Sequence, residues 1–337
     1  MFDLFSYEFM QRALLAALFT GMAAPAVGTY IVQRRLALLG DGIGHVAVTG
    51  VALGILTGIA PTWTAVVVAV LGAILIEVIR ERGHTNGDVA LALLFYGGLA
   101  GGVLLTGLAG QSAANLQEYL FGSITTISVG DVYITMALAA VVILVGVGLA
   151  PQLFAVSQDQ DFARVAGLQV RTYNLLVAVL AAVSVTIAMR TVGLLLVSAL
   201  MVVPVATAQQ LTRSFRATLL TAMALGALAS VGGLSLSALA PAGTRVAPGS
   251  TIVLLALLGF VITWPLGAWL RHRQLLRTPF PALPPDAATP TESHEVGEHP
   301  HDHGPECGHV AVPHGDHVDY VHGGHRHAPH GEHYDEH

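Results

Sequence analysis

The chain has 337 residues, of which 54% are hydrophobic and only 11% charged, against about 25% charged in soluble globular domains. Such a composition excludes a body that covers itself with a water-soluble surface, and no nucleic-acid partner is expected. All 15 basic residues are Arg, so a P-loop, whose Lys reaches the β/γ-phosphates, and Schiff-base chemistry, which needs an amine, are both excluded from this chain.

Apolar runs close to the roughly 20 residues needed to cross a bilayer fall at 9–32, 45–59, 63–79, 89–108, 132–149, 173–189, 192–210, 217–239 and 252–270. They predict an all-α polytopic membrane protein with about eight or nine transmembrane helices over residues 1–278. The run at 45–59 is short and rich in Gly, which predicts a buried or discontinuous helix. Arg34 with Arg35, Arg80 with Arg82, Arg164 with Arg171, Arg213 with Arg216, and Arg271, Arg273 and Arg277 occupy alternate connections. Under the positive-inside rule this places the N-terminus outside and the C-terminal tail in the cytoplasm of a cell whose plasma membrane the chain crosses repeatedly. Gly50, Gly54 and Gly58, and the pairs Gly97 with Gly101 and Gly98 with Gly102, recur at four-residue spacing and predict close helix packing, within the chain rather than at a dimer seam.

Ionisable groups inside apolar sequence are costly and need a reason. Asp41 and His45 stand four apart, which on a helix stacks a carboxylate and an imidazole on one face. The spacing fits two ligands of a divalent cation, and equally an Asp near the helix start beside a hydrogen-bonded His. Glu118, in the run NLQEYLFGSI, is a third candidate ligand or an exposed loop carboxylate. Glu77 with Arg80 and Glu81 reads as a structural charge set at the membrane surface, and Asp131 as an ordinary helix start. The segment QDQDFARVAGL at 158–168 predicts a short surface helix capped at Gly167, either a connector or an element that receives force from a partner.

Four runs together carry a family resemblance: IVQRRLALLGDGIGHVAVTGVALG at 31–54, NLQEYLFGSI at 115–124, QDQDFARVAGL, and VGLLLVSALMVVPVATAQQL at 192–211. Over residues 5–275 the chain resembles the membrane permease subunits of zinc and manganese ABC importers. It departs at Val48-Thr49-Gly50, where the family has leucine-proline-glycine. The resemblance implies that Asp41, His45 and Glu118 line the metal path. It also implies that Asp159, Asp161, Phe162, Arg164 and Gly167 belong to the helix that couples the permease to a separate ABC ATPase. An extracellular metal-binding protein and a permease homodimer are implied on the same ground.

From about residue 279 the composition changes. Residues 281–337 hold 13 of the 16 His and 11 of the 21 acidic residues, with a single Arg. A tail so poor in apolar residues is expected to be disordered, and its imidazoles suit Zn, Cu and Ni better than Mn. Candidate ligands are His299, His301 and His303, then Cys307 and His309, then His322, His325, His327, His330 and His333. The expected function is the membrane subunit of an ATP-driven importer of divalent metal. Zn2+, or else Mn2+, would be both the transported ion and the tail's ligand, with no permanently bound cofactor and no ATPase site of its own. A proton-coupled metal exporter and a membrane-anchored metal buffer or sensor remain alternatives at this point.

Overall fold

The computed structural model describes residues 7–81, 87–110, 128–191, 193–239, 246–275, 295–296, 307–314, 317–322, 325–330 and 333–336. Eleven helices occupy the described body. They are α1 (Glu8–Gln33), α2 (Leu39–Thr57), α3 (Pro61–Glu81), α4 (Gly87–Leu108), α5 (Val129–Gly148), α6 (Ala150–Gln158), α7 (Gln160–Val165), α8 (Val170–Thr191), α9 (Leu194–Leu211), α10 (Phe215–Ala238) and α11 (Pro248–Leu275). Eight of these are long and apolar enough to span a membrane, and the apolar stretch of α9, Leu196–Leu211, is shorter. The all-α polytopic architecture expected from hydropathy is the one observed.

The helices form two groups. In one, α1 packs against α5, α9 and α10; in the other, α2 packs against α3 and α4; α8 touches α1, α2 and α3 and so joins them. Helix α1 is central because its inward face is built from small residues: Ala16, Ala24 and Ala26 are buried, beside Val27, Tyr30 and Ile31. Without a hydrophobic force between helices in lipid, close backbone approach and van der Waals contact hold such a bundle together. On α3, α4, α5 and α11 the large apolar side chains Leu71, Leu93, Leu104, Leu144 and Leu254 are exposed, which suits helices facing hydrocarbon.

Of the two forms expected for the second apolar run, buried or discontinuous, the structure has the buried one. Helix α2 is a continuous helix that begins at Leu39, ahead of the predicted start. Gly40, Asp41, Gly42 and Gly44 depress the apolar signal there, yet the glycines are contact positions. A Cβ at Gly42 would meet Leu94 of α4 at 3.2 Å, and one at Gly50 would meet the backbone of Ala65 on α3 at 2.7 Å. Gly98 lies against the backbone of His45 and Val46 in the same way. The predicted stripes thus pack within the chain at Gly50, Gly54, Gly98, Gly101 and Gly102. Gly58 instead caps α2 in the left-handed region, with φ 71°, a conformation that costs Gly little.

The chain divides into two compact units, Met1–Trp264 and Pro265–His337. In the second, the described tail segments are β1 (Glu295–Val296), β2 (Val310–His314), β3 (His317–His322), β4 (His325–His330) and β5 (His333–Glu336). They form one antiparallel sheet in the order β1-β5-β4-β3-β2. Composition predicts a tail without a packed core, and the structure adds strand pairing in these stretches around a small buried set, Val312, Tyr320 and Ala328.

Candidate functional site

The turn from α1 into α2 is tight, and Arg35 in it has φ 58°, the one non-Gly residue with positive φ among the described residues. It delivers Asp41 into the first turn of α2, where the helix macrodipole favours a carboxylate. His45 follows one turn later, its Nε2 4.0 Å from Asp41 Oδ1. That is too long for a hydrogen bond. His45 is 7% exposed and its ring meets Phe95 of α4 edge-on, with centroids 4.3 Å apart. Its Nδ1 is buried and has no hydrogen-bond partner among the described residues.

The neighbourhood is fixed by backbone contacts. Gly98 brings α4 onto the His45 carbonyl, and Thr49 Oγ1 donates to Gly98 O at 2.5 Å. Helix α2 runs unbroken through Val48-Thr49-Gly50, so the departure from the family pattern there leaves the helix regular. A carboxylate oxygen and an imidazole nitrogen side by side, not bonded to one another, are two donor types that divalent cations accept. An ion held by so few protein groups can leave again, unlike one in a closed four-ligand cage. Glu118 and the run 115–124 lie outside the described residues. Among the described residues no group of three or more His, Cys, Asp or Glu is placed to hold a metal.

A second charged site was not legible as such. Glu77 is 4% exposed, not a surface charge. It accepts from Arg34 at 2.9 Å and from Arg80 at 2.6 Å, tying the end of α1 to the end of α3. Burial pushes the Arg34 guanidinium below its usual range and the Glu77 carboxylate opposes that shift. The signal was present in the spacing: Ala65, Ala69 and Ala73 are buried on α3, and Glu77 continues that four-residue stripe. A cavity of about 390 Å³ opens beside it, lined by Glu77, Arg80, Glu81, Arg164, Arg171 and Asn174. Arg171 at the start of α8 reaches Glu81 across it at 3.1 Å.

The predicted surface helix is α7. Asp159 is its N-cap, accepting from the backbone N–H of Asp161 and Phe162 at 2.9 and 3.0 Å. Gly167 ends it at φ 83°, and Gly167 N–H donates to Arg164 O at 3.0 Å. Ala163 is buried, while Phe162 is 65% and Val165 89% exposed. Arg164 pairs with Asp161 at 2.8 Å in the open. Asp159 and Gly167 therefore shape the helix, and Phe162 and Val165 are what it displays.

In the tail, Cys307 is a free thiol and His327 is buried. His299, His301 and His303 lie outside the described residues. His322 pairs with His325, and His330 with His333, as direct cross-strand partners. The structure adds His314 and His317, paired in the same way and passed over when the tail was read as clusters of His. The missed signal is a repeat, His-Gly-Asp-His at 314–317, His-Gly-Gly-His at 322–325 and His-Gly-Glu-His at 330–333.

Residues 6–266 match the ABC 3 transport family. The chain belongs to that family. This permease is 36% identical over 259 residues to the manganese import system permease protein ScaB of Streptococcus parasanguinis, covering 77% of this chain and 90% of that one. It is 31% identical over 255 residues to the manganese transport system membrane protein MntC of Halalkalibacterium halodurans, covering 75% and 86%. Among solved structures it is similar to PsaBC from Streptococcus pneumoniae in complex with Fab, at a TM-score of 0.71 and 33% identity over 81% of this chain and 98% of that chain. The resemblance read from four sequence runs is therefore to the right family.

Proposed function

We propose that this permease is the membrane subunit of an ATP-driven importer of divalent metal in the plasma membrane. It works as a homodimer with a separate ABC ATPase and an extracellular metal-binding protein. The observation that carries the reading is the Asp41–His45 pair: two unlike donors 4.0 Å apart, one of them a buried imidazole lacking a hydrogen-bond partner among the described residues. In a multi-pass body of this family such a pair suits a cation in transit. The ion enters from outside, exchanges water for Asp41, His45 and Glu118, and is released inward when ATP binding by the partner reorients the helices. The absence of Lys supports an ATPase on another chain. Phe162 and Val165, exposed on α7, suit a cleft on that ATPase, with Asp161 and Arg164 at its polar rim.

The region from residue 279 onward acts as a cytoplasmic metal-binding segment, with Cys307, His309 and the His pairs as ligands. It favours zinc, whereas two relatives are named for manganese, and a carboxylate with an imidazole accommodates either ion. Zinc is the substrate we propose and manganese the second reading. Reconstitution in liposomes with the ATPase, measuring Zn, Mn and Fe uptake with and without ATP, tests both. ATP-dependent uptake of Zn in preference to Mn supports the first reading. The reverse preference establishes the second, and no ATP-dependent metal uptake refutes the importer.

A further inference from the structure

A histidine that binds a metal through one ring nitrogen is ordinarily oriented by a hydrogen bond at the other, which fixes the ring and strengthens it as a donor. His45 lacks that support. Its Nδ1 is buried without a hydrogen-bond partner among the described residues, and its Nε2 stands 4.0 Å from Asp41 Oδ1, beyond hydrogen-bond reach. The aromatic ring in contact with it is Phe95 of α4. The two ring centroids lie 4.3 Å apart and the planes cross at 68°, a close edge-to-face pair of the kind aromatic rings prefer over a sandwich. Such a contact restricts rotation of the imidazole without engaging either nitrogen.

Phe95 is itself held by the register of two helices. A Cβ at Gly42 would meet Leu94 Cδ2 at 3.2 Å, one at Gly98 would meet Val46 N at 2.6 Å and the His45 carbonyl carbon at 2.7 Å, and one at Gly102 would meet Val48 Cγ1 at 3.2 Å. Thr49 Oγ1 adds its bond to Gly98 O. Helix α4 is therefore locked against α2 one turn before His45, at His45 and one turn after it. Phe95 stands three residues before Gly98 and shares its face of α4, so it cannot slide along α2 unless these backbone contacts break.

We propose that Phe95 is the positioning residue of the transport site, holding the His45 imidazole by a ring contact in place of a hydrogen bond, with Nε2 turned toward Asp41. The substitution of one kind of support for the other matters for an ion in transit. A carboxylate or carbonyl on Nδ1 would make the imidazole a stronger ligand and deepen its hold on the ion. An aromatic ring aims the imidazole without that gain, so the pair is aligned for capture and still lets go. Because Phe95 touches the ring and not the ion, it sets affinity for Zn2+ and Mn2+ alike. The inference rests on the reading that Asp41 and His45 handle the transported metal, and goes beyond it by naming the group that aims the imidazole.

The test uses the full-length permease with its ATPase in liposomes. It reads KM and maximal rate of ATP-dependent Zn2+ and Mn2+ uptake, beside the abundance and thermal stability of each variant. Phe95→Leu keeps apolar bulk, which packed positions tolerate, and removes the ring. KM for both ions rises about threefold to tenfold, the scale of an aromatic pair, while maximal rate, abundance and thermal stability stay near those of the parent. Phe95→Met, also without a ring, behaves as Phe95→Leu does, and Phe95→Tyr, which keeps the ring, holds KM within about twofold. In a His45→Ala background Phe95→Leu changes KM no further, because the ring acts only through the imidazole. Unchanged KM in both ringless variants, an equal rise in Phe95→Tyr, or the same rise in the His45→Ala background overturns the assignment and leaves the importer standing. Unchanged KM in His45→Ala alone overturns the reading of the metal pair as well, and a parent permease without ATP-dependent metal uptake overturns the importer.

Discussion

Glu77 with its two Arg partners and the Asp41–His45 pair, both among the described residues of the helical body, are built on opposite plans. Glu77 is closed: its two carboxylate oxygens are taken by two guanidinium groups at 2.9 and 2.6 Å, and all three residues belong to helix ends. Asp41 and His45 are open: they stand 4.0 Å apart, and the buried imidazole has a nitrogen to which no described group bonds. Both arrangements place ionisable groups where burial is expensive. In the first the protein offsets that cost itself, so the set reads as a fastener. In the second no described group offsets it.

The sharpest way to break this contrast is at the fastener. Glu77→Gln leaves two buried guanidinium groups against a neutral amide, and removing one partner of a buried pair costs about 3–5 kcal/mol. The expected outcome is a large fall in folded protein in the membrane, seen as lower thermal stability in detergent, with transport per folded molecule less affected. An equally abundant and equally stable variant would show that Glu77 is dispensable. At the open pair the balance reverses. His45→Ala lowers uptake at limiting metal about tenfold or more, the scale of losing groups that tune a metal site, at unchanged abundance. Asp41→Asn acts in the same direction with a smaller loss. Uptake measured against membrane quantity separates the two outcomes, and a stability loss matching that of Glu77→Gln would merge the two sites into one structural class.

Smaller effects test whether the surface beside the fastener is a docking face. Phe162→Ala weakens ATPase binding by about 1–2 kcal/mol, as for an aromatic interface anchor, and lowers metal-stimulated ATP hydrolysis without changing uptake-site affinity. The smallest change is expected at Arg171→Gln. Its partner Glu81 and Arg171 itself are 39% and 62% exposed, and exposed ion pairs contribute about 0–1 kcal/mol. Thermal unfolding should move by no more than a degree or two.

Much of the fold was legible, because spans announce themselves by length and apolarity and because four runs carry the family. That Asp41 and His45 share a face was legible from their spacing, since four residues on a helix fix it. What hydropathy could not give was the start of α2, where glycines in contact with α4 and α9 lower the apolar signal. Nor could it give the burial of Glu77, since a charge at a helix end reads as solvated until its partner on another helix is known. In the tail, counting His did not give the cross-strand pairing. His314 and His317 became visible only when register put them opposite one another.

The tail repeat has a length of its own. His314, His322 and His330 recur every eight residues, the sum of one strand and one turn. A further copy inserted in frame would add a strand and a turn, and would turn every side chain that follows it to the opposite face of the sheet, since residues eight apart, such as Val312 and Tyr320, lie on opposite faces. Deletion of a copy would do the same in reverse. The segment is therefore modular in pairs of copies, in a way the membrane body is not. Two copies, forty-eight nucleotides, restore the original faces while lengthening the sheet by two strands.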